Sequence, residues 1–351
     1  MPVALARPDP FDPAARERRL RRGAFADRGR RLRIDLVNNM PDAAMFATQR
    51  QFVKLLEEGS RGYEVTLGFL TMDGVERGAQ ARAEMAGLYR PAWRLRESPP
   101  DAVIFTGAEP RAAELDQEPY WDELTGLIDT ARACTFSTLA SCLAAHALVL
   151  HRDGVRRRRS EHKWSGLYPI SLATPHPLTR GLRPGPVPHS RWNGLDEAEL
   201  VAKGYVILTR AAPSGVDMFA KDDGHLTVCF QGHPEYDGDT LAREYRRDVG
   251  RAAAGGRRPA PPVDYFDPET ERRLEAHVER MLKGEEAPHL PNSALAAPQA
   301  DWRARSGRLI ENWLNEISRR KQAAGGATLQ AAGGATQQAA GGPTLRVRSG
   351  G

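Results

Sequence analysis

Two short segments carry residues whose types and spacing could do covalent chemistry. In the first, an apolar run passes through Ala140, Ser141 and Cys142 directly into a helical pattern that starts at Leu143, Ala144, Ala145 and His146. A cysteine at such a junction sits on a tight strand-to-helix turn with its sulfur exposed, and the next backbone amide, that of Leu143, is placed to hold an oxyanion. The helix N-terminus also favours a thiolate. The competing reading is a small buried core cysteine, and the glycines of the strict elbow pattern are absent here. In the second segment an apolar run through Val228, Cys229 and Phe230 leads to His233, Pro234 and Glu235. Residues two apart in an extended chain share a face, and Pro234 restrains its predecessor to extended conformations, so His233 and Glu235 become neighbours. A carboxylate beside an imidazole fixes its tautomer and supports it as a base. Cys142, His233 and Glu235 then form a nucleophile, a base and an orienting acid; the alternative for the pair is a turn with both side chains solvated.

The elements that would position them alternate in type. Short β-branched runs predict strands at residues 32–37, 63–70, 102–106, 134–139, 205–208 and 226–230. Amphipathic patterns predict helices at 45–56, 120–131, 142–150, 240–249, 269–281 and 302–319. In the last of these, Leu309, Ile310, Trp313, Leu314 and Ile317 recur at the spacing of a buried stripe. Near-continuous apolar strands are those buried on both faces. The expectation is an α/β fold, a mostly parallel sheet covered by helices on both faces, with its chemistry at the carboxyl ends of the strands.

Composition bounds what surrounds this region. The 351 residues include 50 basic and 45 acidic side chains, a net charge of +5. Residues 1–33 hold ten arginines and four acids and so more than account for the excess; residues 1–31 of this segment read as a basic leader. It reads as a flexible, solvated arm rather than a nucleic-acid-binding element, because no nucleic-acid motif accompanies it. At the other end a Gly/Ala/Gln octad repeats at residues 322–329, 330–337 and 338–345, within a segment, 319–351, that has nothing large to bury and is expected to be disordered. Pro/Gly-rich stretches at 255–262 and 286–298 read as surface connections. No apolar run approaches the roughly 20 residues of a bilayer span, and no signal-type segment opens the chain, so a cytoplasmic location is expected. Three cysteines without a paired spacing suggest neither a disulfide framework nor zinc; no metal and no bound cofactor are expected.

Residues 230–237, from Phe230 through His233, Pro234 and Glu235 to Asp237, resemble class I glutamine-amidotransferase-like (flavodoxin-like) proteins in general. The Tyr236 and Asp237 extension resembles the homoserine O-acyltransferase (homoserine O-succinyltransferase) family in particular. Further segments agree in order and spacing: Asn39 to Pro41, Thr106 to Ala108, Glu161 to Gly166, Pro188 to Arg191, Arg247 to Val249, Trp302 with Arg303, and Asn312 to Asn315. The similarity spans residues 32–318, the catalytic domain. It implies Cys142 as acyl-thioester nucleophile, His233 as proton acceptor and Glu235 as its partner. It implies substrate binding by Lys163, Ser190 and Arg247, which by pattern alone are surface residues: Lys163 follows the arginines 156–159, Ser190 lies in a Pro-rich loop, and Arg247 is off the apolar stripe of its helix. The reaction implied moves a succinyl group from succinyl-coenzyme A, a co-substrate, to the hydroxyl of L-homoserine, with the oxyanion held by the amides of Leu143 and Ala108. A homodimer is expected.

Two departures bear on specificity. The family's lysine pair after Pro41 is missing, and Arg50 or the arginines 156–159 are expected to supply that charge to acyl-coenzyme A. The acyl-selecting position falls on Arg111, whose cation would pair the free succinyl carboxylate; a one-residue gap would put Glu109 there instead. Acetyl-coenzyme A as donor, or serine or a related amino alcohol as acceptor, are the near alternatives. A glutaminase subunit and a basic nucleic-acid-binding protein are the distant ones.

Overall fold

Register brings the two chemical segments together. The strands preceding them pair in parallel, with Phe230 opposite Ser141, so the chain leaves both at the same edge of the sheet. In the computed structural model, which describes residues 3–5, 30–285 and 302–338, these are β6 (Ser137–Ser141) and β11 (Leu226–Phe230). The other strands are β1 (Val3–Leu5), β2 (Arg31–Val37), β3 (Glu64–Thr71), β4 (Tyr89–Pro91), β5 (Ala102–Phe105), β7 (Arg158–Leu172), β8 (Gly185–Gly194), β9 (Val206–Ala211) and β10 (Gly215–Asp222). They form an 11-stranded sheet in the order β1-β3-β2-β5-β6-β11-β10-β9-β7-β8, with β4 also on β3. The half from β1 to β11 is parallel; β10, β9, β7 and β8 continue it antiparallel.

The helices are α1 (Asp42–Gly59), α2 (Ala79–Met85), α3 (Trp121–Cys134), α4 (Leu143–Asp153), α5 (Glu197–Ala202), α6 (Thr240–Ala253), α7 (Pro268–Leu282) and α8 (Trp302–Gln338). Side chains alternate across a strand, and here alternate residues enter different cores. Val103 and Phe105 face α3 and α4, with Leu127, Ile128, Ala144 and Leu148. Ala102 and Ile104 face α1 and α8, with Phe52, Leu55, Ile310 and Trp313. A sheet buried on both sides explains why its strands read as continuous apolar runs.

The stripe on α8 holds as expected: Ile310, Trp313, Leu314 and Ile317 are fully buried. The Trp313 ring also donates from Nε1 to Ser137 Oγ at 2.8 Å, tying α8 to the start of β6. Gly59 has no side chain because α8 leaves no room for one: a Cβ there would lie 2.5 Å from Ile310. Trp313→Ala is expected to lower the free energy of unfolding by about 3–5 kcal/mol, from lost burial and the cavity left behind. A fall in the urea midpoint with an unchanged slope would show it, and an unchanged midpoint would exclude it.

Three boundaries differ from the sequence reading. Helix α8 continues to Gln338, beyond the end at 319 read from the apolar pattern. Residues 339–351 and 286–298 lie outside the described residues. In the leader, Val3–Leu5 pairs in parallel with Val65, Thr66 and Leu67; most of the remaining leader lies outside the described residues. The β7–β8 hairpin and β10 were not foreseen. Pro169, Pro186 and Pro188 sit in that hairpin at the edge of the sheet, where proline is tolerated and hides the strand signal.

Candidate active site

Cys142 occupies the turn between β6 and α4 with φ 51° and ψ −112°, a left-handed conformation rare for a residue with a side chain. Its amide donates to Phe230 O at 2.7 Å, and its carbonyl accepts from Ala145 N at 3.0 Å and His146 N at 3.3 Å. The turn is therefore held from both sides while the thiol stays partly accessible. Such strain persists only where surrounding contacts enforce it, and it concentrates at functional sites. The elbow foreseen from sequence is present without flanking glycines. The space they would provide comes from Gly107, in the loop that follows the neighbouring β5. A Cβ on Gly107 would lie 3.2 Å from Leu143 N and 3.2 Å from Leu143 Cβ. Gly107 thus keeps the first amide of α4 uncovered, and that amide is among those a helix leaves without an internal acceptor. Ala108 follows on the same loop. Gly107→Val is expected to lower turnover by about 10²–10³-fold, the size of one lost oxyanion donor, with the thiol still open to alkylation. Wild-type turnover in the variant would rule out this location for the oxyanion.

His233 Nδ1 and Glu235 Oε1 are 2.8 Å apart. The same carboxylate oxygen accepts from Ser141 Oγ at 3.3 Å, one residue before the cysteine. Tyr236 stacks on the imidazole at 4.1 Å, and the His233 amide donates to Pro188 O at 2.8 Å. His233 Nε2, the ring nitrogen not held by Glu235, is buried, and the Cys142 sulfur is near enough to act on the ring. Burial works against a charge on this ring, but Glu235, then Cys142, outweigh it and hold His233 well above the ordinary imidazole value. The three residues singled out from sequence meet, and their surroundings favour the charged form of the ring.

Neighbours missed by sequence reasoning hold this arrangement. Gln231 receives His146 Nε2 at 2.9 Å and Leu195 N at 3.1 Å, and donates to Val216 O at 2.6 Å. It thereby fixes the strand end from three elements. Gly232 presses on a buried pair, His189 and Asp217, 3.2 Å apart; a Cβ on it would lie 2.5 Å from Asp217 Oδ1. Arg191 is only 4% exposed and is fixed by His189 Nδ1 at 3.3 Å, Asn193 O at 2.8 Å and Ser214 O at 2.6 Å. Burial lowers its pKa, while Cys142 and then Asp217 favour its charge. A fixed cation therefore shares the electrostatic environment of the sulfur.

A distortion in β7 brings two of the implied substrate residues, Lys163 and Arg247, to one acid. Arg159 pairs with Asn193, but the next pair is Trp164 with Arg191, so residues 160–163 bulge opposite Trp192 alone. The bulge carries Lys163 to Asp248 on α6, with Nζ 2.7 Å from Oδ2. Arg247 contacts the other oxygen of Asp248 at 3.0 Å. Asp248, not foreseen, is the clamp joining the two cations; burial raises its pKa, but Lys163 and then Arg247 prevail and hold it below the usual range. Ser190 lies on β8 opposite Ser165, in a strand rather than in the expected loop.

Arg111 is not brought to this cluster. Its side chain is 71% exposed and pairs with Glu76 at 3.2 Å, because the loop after Ala108 turns outward under Glu118, which accepts from the amides of Arg111 and Ala112 at 2.7 and 2.8 Å. Glu109, two residues earlier, lies at the cluster, bound by Arg251 through two contacts of 2.6 and 2.9 Å. Those bonds hold its pKa down against burial, and Arg247 and Asp248 are near enough to act on it. Lys163, Arg247 and Arg251 thus face Glu109 and Asp248, three cations against two carboxylates. The surplus charge suits a carboxylate substrate. Among the described residues no group of three His, Cys, Asp or Glu could hold a metal ion.

Fold and site together define an α/β protein with a cysteine, histidine and glutamate assembled at the carboxyl edge of its sheet. The chain belongs to the homoserine O-succinyltransferase family, whose model matches residues 20–323. It is 44% identical over 299 residues to a homoserine O-succinyltransferase of Methylorubrum extorquens, covering 83% of this chain and 88% of that protein. A homoserine O-succinyltransferase of Rhodopseudomonas palustris is 44% identical over 295 residues, covering 82% and 88%. Among solved structures, a glutamine amidotransferase from Methylobacillus flagellatus aligns with a TM-score of 0.49 at 15% identity, over 82% of this chain and 95% of that one.

Proposed function

We propose that this chain transfers the succinyl group of succinyl-coenzyme A to the hydroxyl of L-homoserine through a thioester on Cys142, in methionine biosynthesis. The observation that carries the reading is the meeting of Cys142, His233 and Glu235 beside a cation-rich cluster, in a chain 44% identical to relatives of that name. In the first half-reaction Sγ of Cys142 adds to the thioester carbonyl. The oxyanion rests on the Leu143 and Ala108 amides, coenzyme A departs, and the His233 imidazolium protonates its sulfur. Exchange of one thioester for another is nearly balanced, so the acyl-enzyme is no trap. Acylation also removes the influence of the Cys142 sulfur, one of the two groups that hold His233 above the ordinary imidazole value. The ring can then take the homoserine hydroxyl proton as that oxygen attacks, and collapse returns the thiol group and releases the oxygen ester.

A guanidinium binds a carboxylate through two parallel hydrogen bonds, which suits Arg247 to the amino-acid carboxylate; Lys163 and Ser190 complete the acceptor site. The Arg251 partner cancels the repulsion that Glu109 would exert on a succinyl carboxylate. The reading carries with it a cytoplasmic homodimer; no helix among the described residues is long and apolar enough to cross a membrane. The test is intact-protein mass spectrometry after mixing with succinyl- or acetyl-coenzyme A, followed by a chase. A succinyl mass gain on Cys142 that is lost on adding homoserine is expected. Acetyl gain alone, or discharge by serine and not homoserine, would replace the donor or the acceptor.

A further inference from the structure

Trp192 lies opposite the β7 bulge, and two guanidinium groups approach its ring: Arg159, at the start of the bulge, and Arg257, beyond α6, each 5.0 Å from the ring centroid. Arg257 also donates to Glu161 O within the bulge at 3.3 Å. The other arginines of the 156–159 run have different work. Arg156 pairs with Glu114 and Asp116, each at 3.0 Å, and Arg158 with Asp196 and Glu199 at 2.9 and 2.6 Å. Arg157 is partly buried and donates to Ala113 O at 3.1 Å. Arg159 and Arg257 are exposed, and neither has a carboxylate partner among the described residues. Two surface guanidiniums brought to one indole without an acid between them repel each other. They leave their charge for something outside the chain.

We infer that Arg159, Trp192 and Arg257 bind the phosphorylated adenosine end of the acyl-coenzyme A donor. The inference rests on the proposed acyl transfer and deepens it. Coenzyme A ends in a 3′-phosphate and a 5′-diphosphate on adenosine, so its recognition calls for forked cations and a flat surface. A purine stacks on an aromatic ring or on a guanidinium plane held against one. The patch is continuous with the acceptor site in the chain: the bulge that begins at Arg159 ends at Lys163, and Trp192 shares a face of β8 with Ser190 by the alternation of a strand. A donor laid along this hairpin has its nucleotide at the outer end and its thioester toward Cys142. The charge lost with the lysine pair after Pro41 is thereby supplied by one member of the 156–159 run, together with an arginine that sequence order does not connect to it.

The test uses two donors, succinyl-coenzyme A and the succinyl thioester of N-acetylcysteamine, which lacks the nucleotide. In the double variant Arg159→Gln, Arg257→Gln, the KM for succinyl-coenzyme A is expected to rise about tenfold, as for the loss of charge-assisted phosphate contacts, with kcat nearly unchanged. The kcat/KM for the short thioester is expected to change less than twofold, and added salt should raise the wild-type KM for succinyl-coenzyme A more than the variant's. Calorimetry with adenosine 3′,5′-bisphosphate should show binding to the wild type that weakens in the double variant and in Trp192→Ala. Equal losses with both donors, an unchanged KM for succinyl-coenzyme A, or no calorimetric difference would overturn the inference while leaving the acyltransferase reading intact. If neither donor loads Cys142 of the wild type, the acyltransferase reading falls, and the inference with it.

Discussion

Cys142→Ala is expected to lose acyl transfer by on the order of 10⁴-fold or more, because removing the nucleophile of a covalent mechanism removes both half-reactions together. The intact protein should gain no succinyl mass. The other two thiols cannot substitute. Cys229 is fully buried, its sulfur pushed far up by burial and inert. Cys134 is exposed at the end of α3, where the chain enters β6, and so lies at the amino edge of the sheet, away from His233. A succinyl adduct on Cys134, or near-normal turnover in the alanine variant, would sink the covalent mechanism. The backbone adds a second readout. At φ 51° the cysteine carries strain of about 1–3 kcal/mol that glycine does not. Cys142→Gly should be as inactive as Cys142→Ala yet unfold at higher urea, which separates the strain at this turn from the chemistry of its sulfur.

The parts of the site that could be read in advance obey local rules. His233 and Glu235 are two apart in extended chain, and Cys142 stands where an apolar strand becomes a helix; each follows from a short stretch of sequence, and the structure joins them because β6 and β11 pair in register. The parallel half of the sheet was legible for the same reason, since its strands are buried on both faces. What escaped depends on contacts between distant segments. Asp248 reads as an ordinary surface acid until the β7 bulge delivers Lys163 to it. Arg191 lies next to a residue with an implied role, yet nothing in its neighbours predicts that it is buried. Where Glu109 and Arg111 lie relative to the cluster follows from the path of a loop, which Glu118 bends by binding two of its amides. Gly107 is similar: its importance is the absence of an atom above Leu143 N.

Glu235→Gln gives the sharpest test of how the histidine works, because it removes a charge and keeps the shape. Burial alone would push the His233 pKa down; Glu235 is the larger of the two charges that raise it, and Cys142 is the other. An amide at 235 withdraws that support, so the ring must lose its proton at a lower pH than in the wild type. With His233 held above the ordinary imidazole value, the free enzyme is expected to work with a charged ring, whose loss on raising the pH forms the high-pH limb of kcat/KM for succinyl-coenzyme A. That limb is expected to move to lower pH in the variant. Turnover should also fall by about 10²-fold or more, since the amide no longer stabilises the imidazolium formed when homoserine gives up its proton. The pH at which the limb falls is the discriminating quantity, because a variant that had merely loosened the site would lose activity with its limb unmoved. If the limb stays in place, His233 does not owe its charge to Glu235, and the support for the imidazolium formed when homoserine gives up its proton comes from another group.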